Sequence, residues 1–142
     1  MKIPANIRDF KFPNDYPAVI DLWEKSSPDI HVGRSDTPDE LAKKIQHDPD
    51  LFLVAEFNSD IIGAVLGGFD GRRGMVYHLA VDEKYRQFGV GGLLIESIED
   101  RLREKGCLRS YLLVRKENPS VQFYIKQGWQ KLDIQIFGKD LQ

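Results

Sequence analysis

Between Val76 and Gly106 the chain reads VYHLAVDEKYRQFGVGGLLIESIEDRLREKG, and no other stretch narrows its choice of fold so far. An apolar run broken only by His78 stops at Asp82. Arg86 follows, then Gly89, Gly91 and Gly92, then a charged, helix-patterned segment. A strand that is apolar on both alternating faces has to be covered on both sides, so VYHLAV belongs in the middle of a sheet. After the glycines, Leu94, Ile95, Ile98 and Leu102 recur at helical spacing, Glu99 stands four residues before Arg103, and Gly106 supplies the stop. A buried strand feeding a long amphipathic helix commits the chain to an α/β architecture.

The rest of the chain agrees. NIRDF reads as an opening strand, and Asn14 is the expected cap of a helix with Val19, Ile20, Leu22 and Trp23 on one side, ending near Ser26-Ser27-Pro28. Thr37, Pro38 and Glu40 form a capping box for a second helix through TPDELAKKIQHD. LFLVAEF and IIGAVLGGF, joined by NSD, read as a hairpin. RSYLLV reads as a later strand, PSVQFYIKQ as a short helix stopped by Gly128, and WQKLDIQIF as a last strand. With 142 residues and neither repeat nor linker, one domain spanning 1–142 is expected.

A formal net charge of −2 provides no basic field for nucleic acid or an acidic membrane surface, so neither is expected as a partner. The single Cys107 allows no internal disulfide, and MKIPANIRDF lacks the apolar core of a signal peptide, which points to a reducing cytoplasm.

Glycines at a helix start let a ligand approach the backbone, and the unpaired N–H groups of the first turn attract an anion. Three phosphate motifs compete. A Walker loop needs GxxxxGK[ST], and no Gly-Lys-Ser or Gly-Lys-Thr occurs. A dinucleotide GxGxxG from Gly89 and Gly91 would need glycine where Leu94 stands. The third pattern, Arg/Gln-x-x-Gly-x-Gly/Ala between a strand and a long helix, is met by Arg86, Gly89 and Gly91.

On that pattern, together with the FLVAE…IIGAVLGG hairpin and the late FYIKQGW, the chain resembles the GNAT superfamily of acyl-CoA-dependent N-acyltransferases over nearly its whole length. The resemblance implies a GNAT-like α/β fold, a mixed central sheet flanked by helices. It also implies transfer of an acetyl group from acetyl-CoA to an amine by direct attack in a ternary complex, without a metal. Residues Gln87, Phe88, Gly89, Val90, Gly91 and Gly92 would cradle the CoA pyrophosphate with Arg86 nearby. The backbone of Leu79, Ala80 and Val81 would meet the pantetheine arm, and Tyr124 would donate to the departing thiolate. The family asparagine usually stands seven residues before the tyrosine. Here Glu117 holds that position, and Asn118 is the preferred pantetheine contact. Homodimerisation is compatible with this length. A non-catalytic acyl-CoA sensor and an interaction module without CoA are the rival readings.

Strand parity bears on the acceptor side. Met75, Tyr77 and Leu79 share the face that resembles the acceptor side, and none is a good base at neutral pH. His78 falls on the opposite face, in the core or a dimer surface, unless a β-bulge shifts the register. Absence of a base leans toward an acceptor of low pKa, because about one in seven α-amines is neutral at pH 7 against about one in 2,500 lysines. SSPDIHVGRSD and FDGRRG would shape the acceptor pocket, with Tyr77, His31, Arg34, Asp36, Asp70, Arg72 and Arg73 as candidates. Charges in such loops are solvated by default.

Overall fold

The structure, a computed structural model, describes residues 1–26 and 29–142. Five strands, β1 (Asn6–Asp9), β2 (Phe52–Phe57), β3 (Asp60–Phe69), β4 (Gly74–Val81) and β5 (Ser110–Leu112), form one sheet in sequence order. Neighbours are antiparallel from β1 to β4, and β4 and β5 are parallel. Four α-helices accompany the strands: α1 (Tyr16–Lys25), α2 (Pro38–His47), α3 (Val90–Glu104) and α4 (Val121–Lys126). The mixed α/β fold expected from the sequence is present, with α3 crossing over between the two parallel strands.

The sheet buries both faces. Leu94, Ile95, Ile98 and Leu102 of α3 cover Leu51, Leu53, Val65 and Val76 on one side. Val19, Leu22 and Trp23 of α1 and Leu41 of α2 cover Phe52, Val54, Ala64 and Leu66 on the other. Each such side chain taken out of water contributes about 1.5 to 3 kcal/mol. The contact with α3 is close at Gly63 and Gly67, where an added Cβ would lie 2.9 Å from the Leu94 and Ile98 side chains. Helix and sheet can approach this closely only because β3 carries no side chain there.

Local signals mostly acted as expected. The hairpin turn is Asn58-Ser59, both with positive φ, the geometry whose twist matches antiparallel strands. Thr37 Oγ1 accepts the Glu40 N–H, one of the two bonds of a capping box, while the Glu40 carboxylate pairs with Lys43. At the end of α3, the N–H groups of Gly106 and Cys107 bond to the carbonyls of Arg103 and Leu102, a Schellman stop. Cys107 thus belongs to this stop and precedes β5.

Three expectations are corrected. The cap of α1 is Asp15, not Asn14, and its carboxylate is engaged with the Arg8 guanidinium and the Lys11 N–H. The strand expected at RSYLLV is limited to Ser110–Leu112. WQKLDIQIF forms no strand: beyond Trp129 the chain has no regular secondary structure and is exposed, with Ile134 at 71% and Phe137 at 88% of full exposure. Alternating apolar residues make a strand only beside a sheet edge, and β5 is too short to supply one. The end of α1 expected near Ser26-Ser27-Pro28 falls there, after Lys25 with Ser26 as its C-cap, while Ser27 and Pro28 themselves lie outside the described residues.

Candidate active site

The site is organised by β4. Gly74, Met75 and Val76 pair with Ser110, Tyr111 and Leu112 of β5, and the pairing stops there. From Tyr77 to Val81, β4 keeps β3 on one side and, among the described residues, has no strand on the other. Leu79, Ala80 and Val81 therefore present backbone groups along an open edge. One of these groups is taken, since Val81 O accepts from Arg86 Nε at 3.1 Å.

The same strand contains a β-bulge. Ala64 pairs with Ala80, but Leu66 pairs with Tyr77, so a two-residue step on β3 spans three residues on β4. The extra residue inverts the parity. Tyr77 and His78 both come to the face covered by α1 and α2, whereas Leu79 packs with α3. The expectations for His78 and Leu79 are thereby corrected: strict alternation holds up to Tyr77, and the bulge resets it. His78 sits at φ +48, a left-handed conformation costly for a residue with a Cβ. Its carbonyl accepts from the buried Trp23 Nε1 at 3.0 Å, and its ring meets the Trp23 indole edge-on at 4.8 Å.

Past the open edge lies the glycine turn. Gln87 and Gly89 have φ of +70 and +85, and Phe88 O accepts from Ile3 N, tying the N-terminal segment across the turn. Gly89 caps α3 without a side-chain bond, and the first turn holds no acidic residue. The first intrahelical bond runs from Leu93 N to Gly89 O, so the N–H groups of Val90, Gly91 and Gly92 precede the helical ladder. These amides, at the positive end of a 15-residue helix, suit an anion.

Tyr124 comes from α4, which packs on the start of α3 with Phe123 against Gly91. It is buried among the α3-side core, and burial, aided by the charge of Asp29, pushes its phenol up to about 12. Asp29 belongs to the α1–α2 connection on the opposite side of the sheet. Asn118 Oδ1 accepts the Ser120 N–H at 2.7 Å in the turn before α4, leaving its amide nitrogen as a donor, while Glu117 is exposed.

On the α1/α2 side a cleft of about 680 Å³ is lined by Met75, Tyr77 and His78 of β4, Tyr111 of β5, Lys44 of α2 and Asp36 of the 3-10 turn Arg34–Asp36. Asp70 and Arg73 also line it; His31, Arg34 and Arg72 do not. Lys44 is committed to Asp48. Asp36, expected as a solvated loop charge, is only 6% exposed: Oδ2 accepts from Gly33 N at 3.0 Å and Oδ1 lies 3.4 Å from His78 Nε2. Burial alone would push the Asp36 carboxyl up, but His78, the Gly33 N–H and the nearby His31 together hold it below the usual carboxylate range. Burial pushes the Tyr77 phenol up. Sequence reasoning missed this pairing of Asp36 with His78. The only signal was a lone histidine in an otherwise apolar strand.

Comparison with known proteins bears on what such a cleft does. A family model described as acetyltransferase (GNAT) family matches residues 16–129. An acetyltransferase of Pectobacterium atrosepticum is 40% identical over 136 residues, covering 95% of this chain and 94% of that protein. Among solved structures, Ard1 from Thermoplasma volcanium is similar with a TM-score of 0.77 and 25% identity, covering 89% of this chain and 82% of that one. The PaiA N-acetyltransferase from Thermoplasma acidophilum, solved in complex with coenzyme A, is similar in fold with a TM-score of 0.80 and 20% identity over 94% of both chains.

Proposed function

The chain belongs to the acetyltransferase (GNAT) family, and on that premise we propose that residues 1–142 form one N-acetyltransferase domain acting on a primary amine. The amine is that of a small molecule or of a peptide or protein N-terminus, and it attacks acetyl-CoA directly in a ternary complex. The observation that carries this reading is the open edge of β4 running into an uncapped helix start. An extended amide-bearing arm lies along the edge, and its phosphates meet the free amides of Val90, Gly91 and Gly92.

Each residue then has a task. Leu79 and Ala80 hold the pantetheine arm through their backbone, and Asn118 reaches it through its free amide nitrogen. Gln87 to Gly92 bind the pyrophosphate, and Arg86, anchored by Nε on Val81 O, turns its remaining guanidinium donors outward. Tyr124, buried and held protonated throughout the neutral range, donates a hydrogen bond to the sulfur as negative charge grows there. Tyr77 lines the acceptor cleft, and His31 acts through the field it exerts on Asp36.

An acetyl-CoA thiol-release screen over free amines, polyamines, amino acids and peptide N-termini tests the proposal. Release with at least one class supports it; tight CoA binding with no release across the panel would favour an acyl-CoA sensor. Direct attack also needs no acyl-enzyme. Cys107 lies in the stop of α3 with Sγ donating to Arg109 O, so Cys107→Ala should keep most of the activity. A covalent acetyl adduct on Cys107 during turnover, with activity lost in the alanine variant, would overturn the direct mechanism.

A further inference from the structure

We propose that His78 is the general base of the acyl transfer, carried into the acceptor cleft by the β4 bulge and oriented there by Asp36. The inference deepens the acetyl-transfer reading above and rests on it.

Three observations converge. The bulge puts Tyr77 and His78 side by side on the cleft wall, beside the open edge of β4. His78 is held in a left-handed conformation at φ +48, with the Trp23 indole fastening its carbonyl. Strain of this kind survives where surrounding structure enforces it, and it concentrates at working sites. The third is Asp36, more than nine-tenths buried, fixed by Gly33 N–H and aimed at Nε2 of His78. A buried carboxylate on one imidazole nitrogen selects the tautomer and offsets the charge of the imidazolium, leaving the other nitrogen to take a proton.

The other ionisable groups around the ring have different engagements. From α2, Lys44 is bound to Asp48, and His47 is 71% exposed on the rim. From the β3–β4 turn, Asp70 accepts the N–H groups of Arg72 and Arg73, and Arg73 lies over the Tyr111 ring. His31 acts on Asp36 from the α1–α2 connection. Among the described residues lining the cleft, His78 alone combines partial burial, a carboxylate orienter and a place beside the open edge.

The step balances as follows. Nε2–H of His78 donates to Asp36, which stays ionised, and Nδ1 holds the lone pair. The acceptor nitrogen forms its bond to the thioester carbonyl carbon, the carbon–sulfur bond breaks, and the proton lost by the nitrogen passes to Nδ1. The thiolate leaves against the Tyr124 hydroxyl. With a base present, the lean toward acceptors of low pKa lapses. Amines that arrive as ammonium ions, including those of lysine type, become acceptors too: Nδ1 takes one proton before attack, and the second, lost as the amide forms, passes to the departing thiolate.

The test is His78→Asn, because asparagine tolerates the left-handed backbone and cannot serve as a base. At pH 7 and saturating amine, kcat should fall about 10² to 10⁴-fold, with thermal protection by acetyl-CoA unchanged. The pH profile separates a base from a packing residue. In the parent, kcat should level off once the imidazole is neutral. In the variant it should climb about tenfold per pH unit toward the acceptor's own pKa. Asp36→Asn, which keeps a hydrogen-bonding group toward Gly33, should lower kcat with acetyl-CoA protection intact. Parallel pH profiles with turnover within threefold of the parent overturn the assignment of His78. If the parent itself releases no thiol with any amine, the acetyl-transfer reading falls, and the base falls with it.

Discussion

Tyr124→Phe should lower kcat by about 10² to 10⁴-fold while leaving acetyl-CoA affinity and melting temperature nearly unchanged. The substitution keeps the ring in its place beside Phe123 and the α3 core and removes only the hydroxyl. Hydrogen-bond donation to a leaving thiolate strengthens as charge develops, so the loss belongs to the transition state. It corresponds to about 2.7 to 5.4 kcal/mol of barrier. In kinetics, kcat and kcat/KM should fall together. The upward shift of the phenol decides how Tyr124 contributes. A group that holds its proton up to about 12 is a dependable donor at pH 7 but yields that proton reluctantly, so a strong hydrogen bond, not complete proton transfer, is its main service. A phenylalanine variant within about threefold of the parent, when chemistry limits the rate, leaves less than about 1 kcal/mol for the hydroxyl and makes Tyr124 a packing residue.

The second large effect is expected at Gly91. Gly91→Glu should abolish acetyl-CoA protection against heating while the protein itself stays folded. Acetyl-CoA at a hundred times its Kd adds about 2.7 kcal/mol, which for a chain of this size is about 5 to 10 °C in Tm. The new Cβ would stand 3.2 Å from Phe123 Cζ, close enough that the ring must yield by a few tenths of an ångström. A carboxylate in the first turn of α3 otherwise favours the helix, by about 0.3 to 1 kcal/mol. The two effects therefore have opposite signs. The empty variant should melt near the parent, and only the ligand-induced rise should vanish. A folded Gly91→Glu protein that acetyl-CoA still stabilises fully would show that the phosphates bind elsewhere.

What could be read from the sequence was local. Thr37 and Pro38 announce α2, Asn58-Ser59 announces the hairpin, and Gly89 announces a turn, because each acts through its own backbone or its nearest neighbours. The bulge could not be read this way. Nothing in MVYHLAV marks where the pairing with β3 slips by one residue, since a register belongs to two strands and every residue after the slip changes face. Asp36 was opaque for a related reason: a carboxylate in a polar loop looks solvated until the loop folds over β4. The C-terminal segment fails in the opposite direction. Leu132, Ile134 and Ile136 have the alternation of a strand, but alternation is only half of what a strand requires, and no edge meets them.

The bulge gives β4 an unusual sensitivity to its own length. Replacing a residue in this strand changes one side chain, whereas losing one residue would restore plain alternation and send His78 to the far side of the sheet. The cleft would then face α1 and α2 without its imidazole, and Asp36 would be left buried without its partner. Divergence within this lineage should therefore be freer in the letters of β4 than in their number. A gap between Tyr77 and Ala80 in a related chain would mark a change of chemistry.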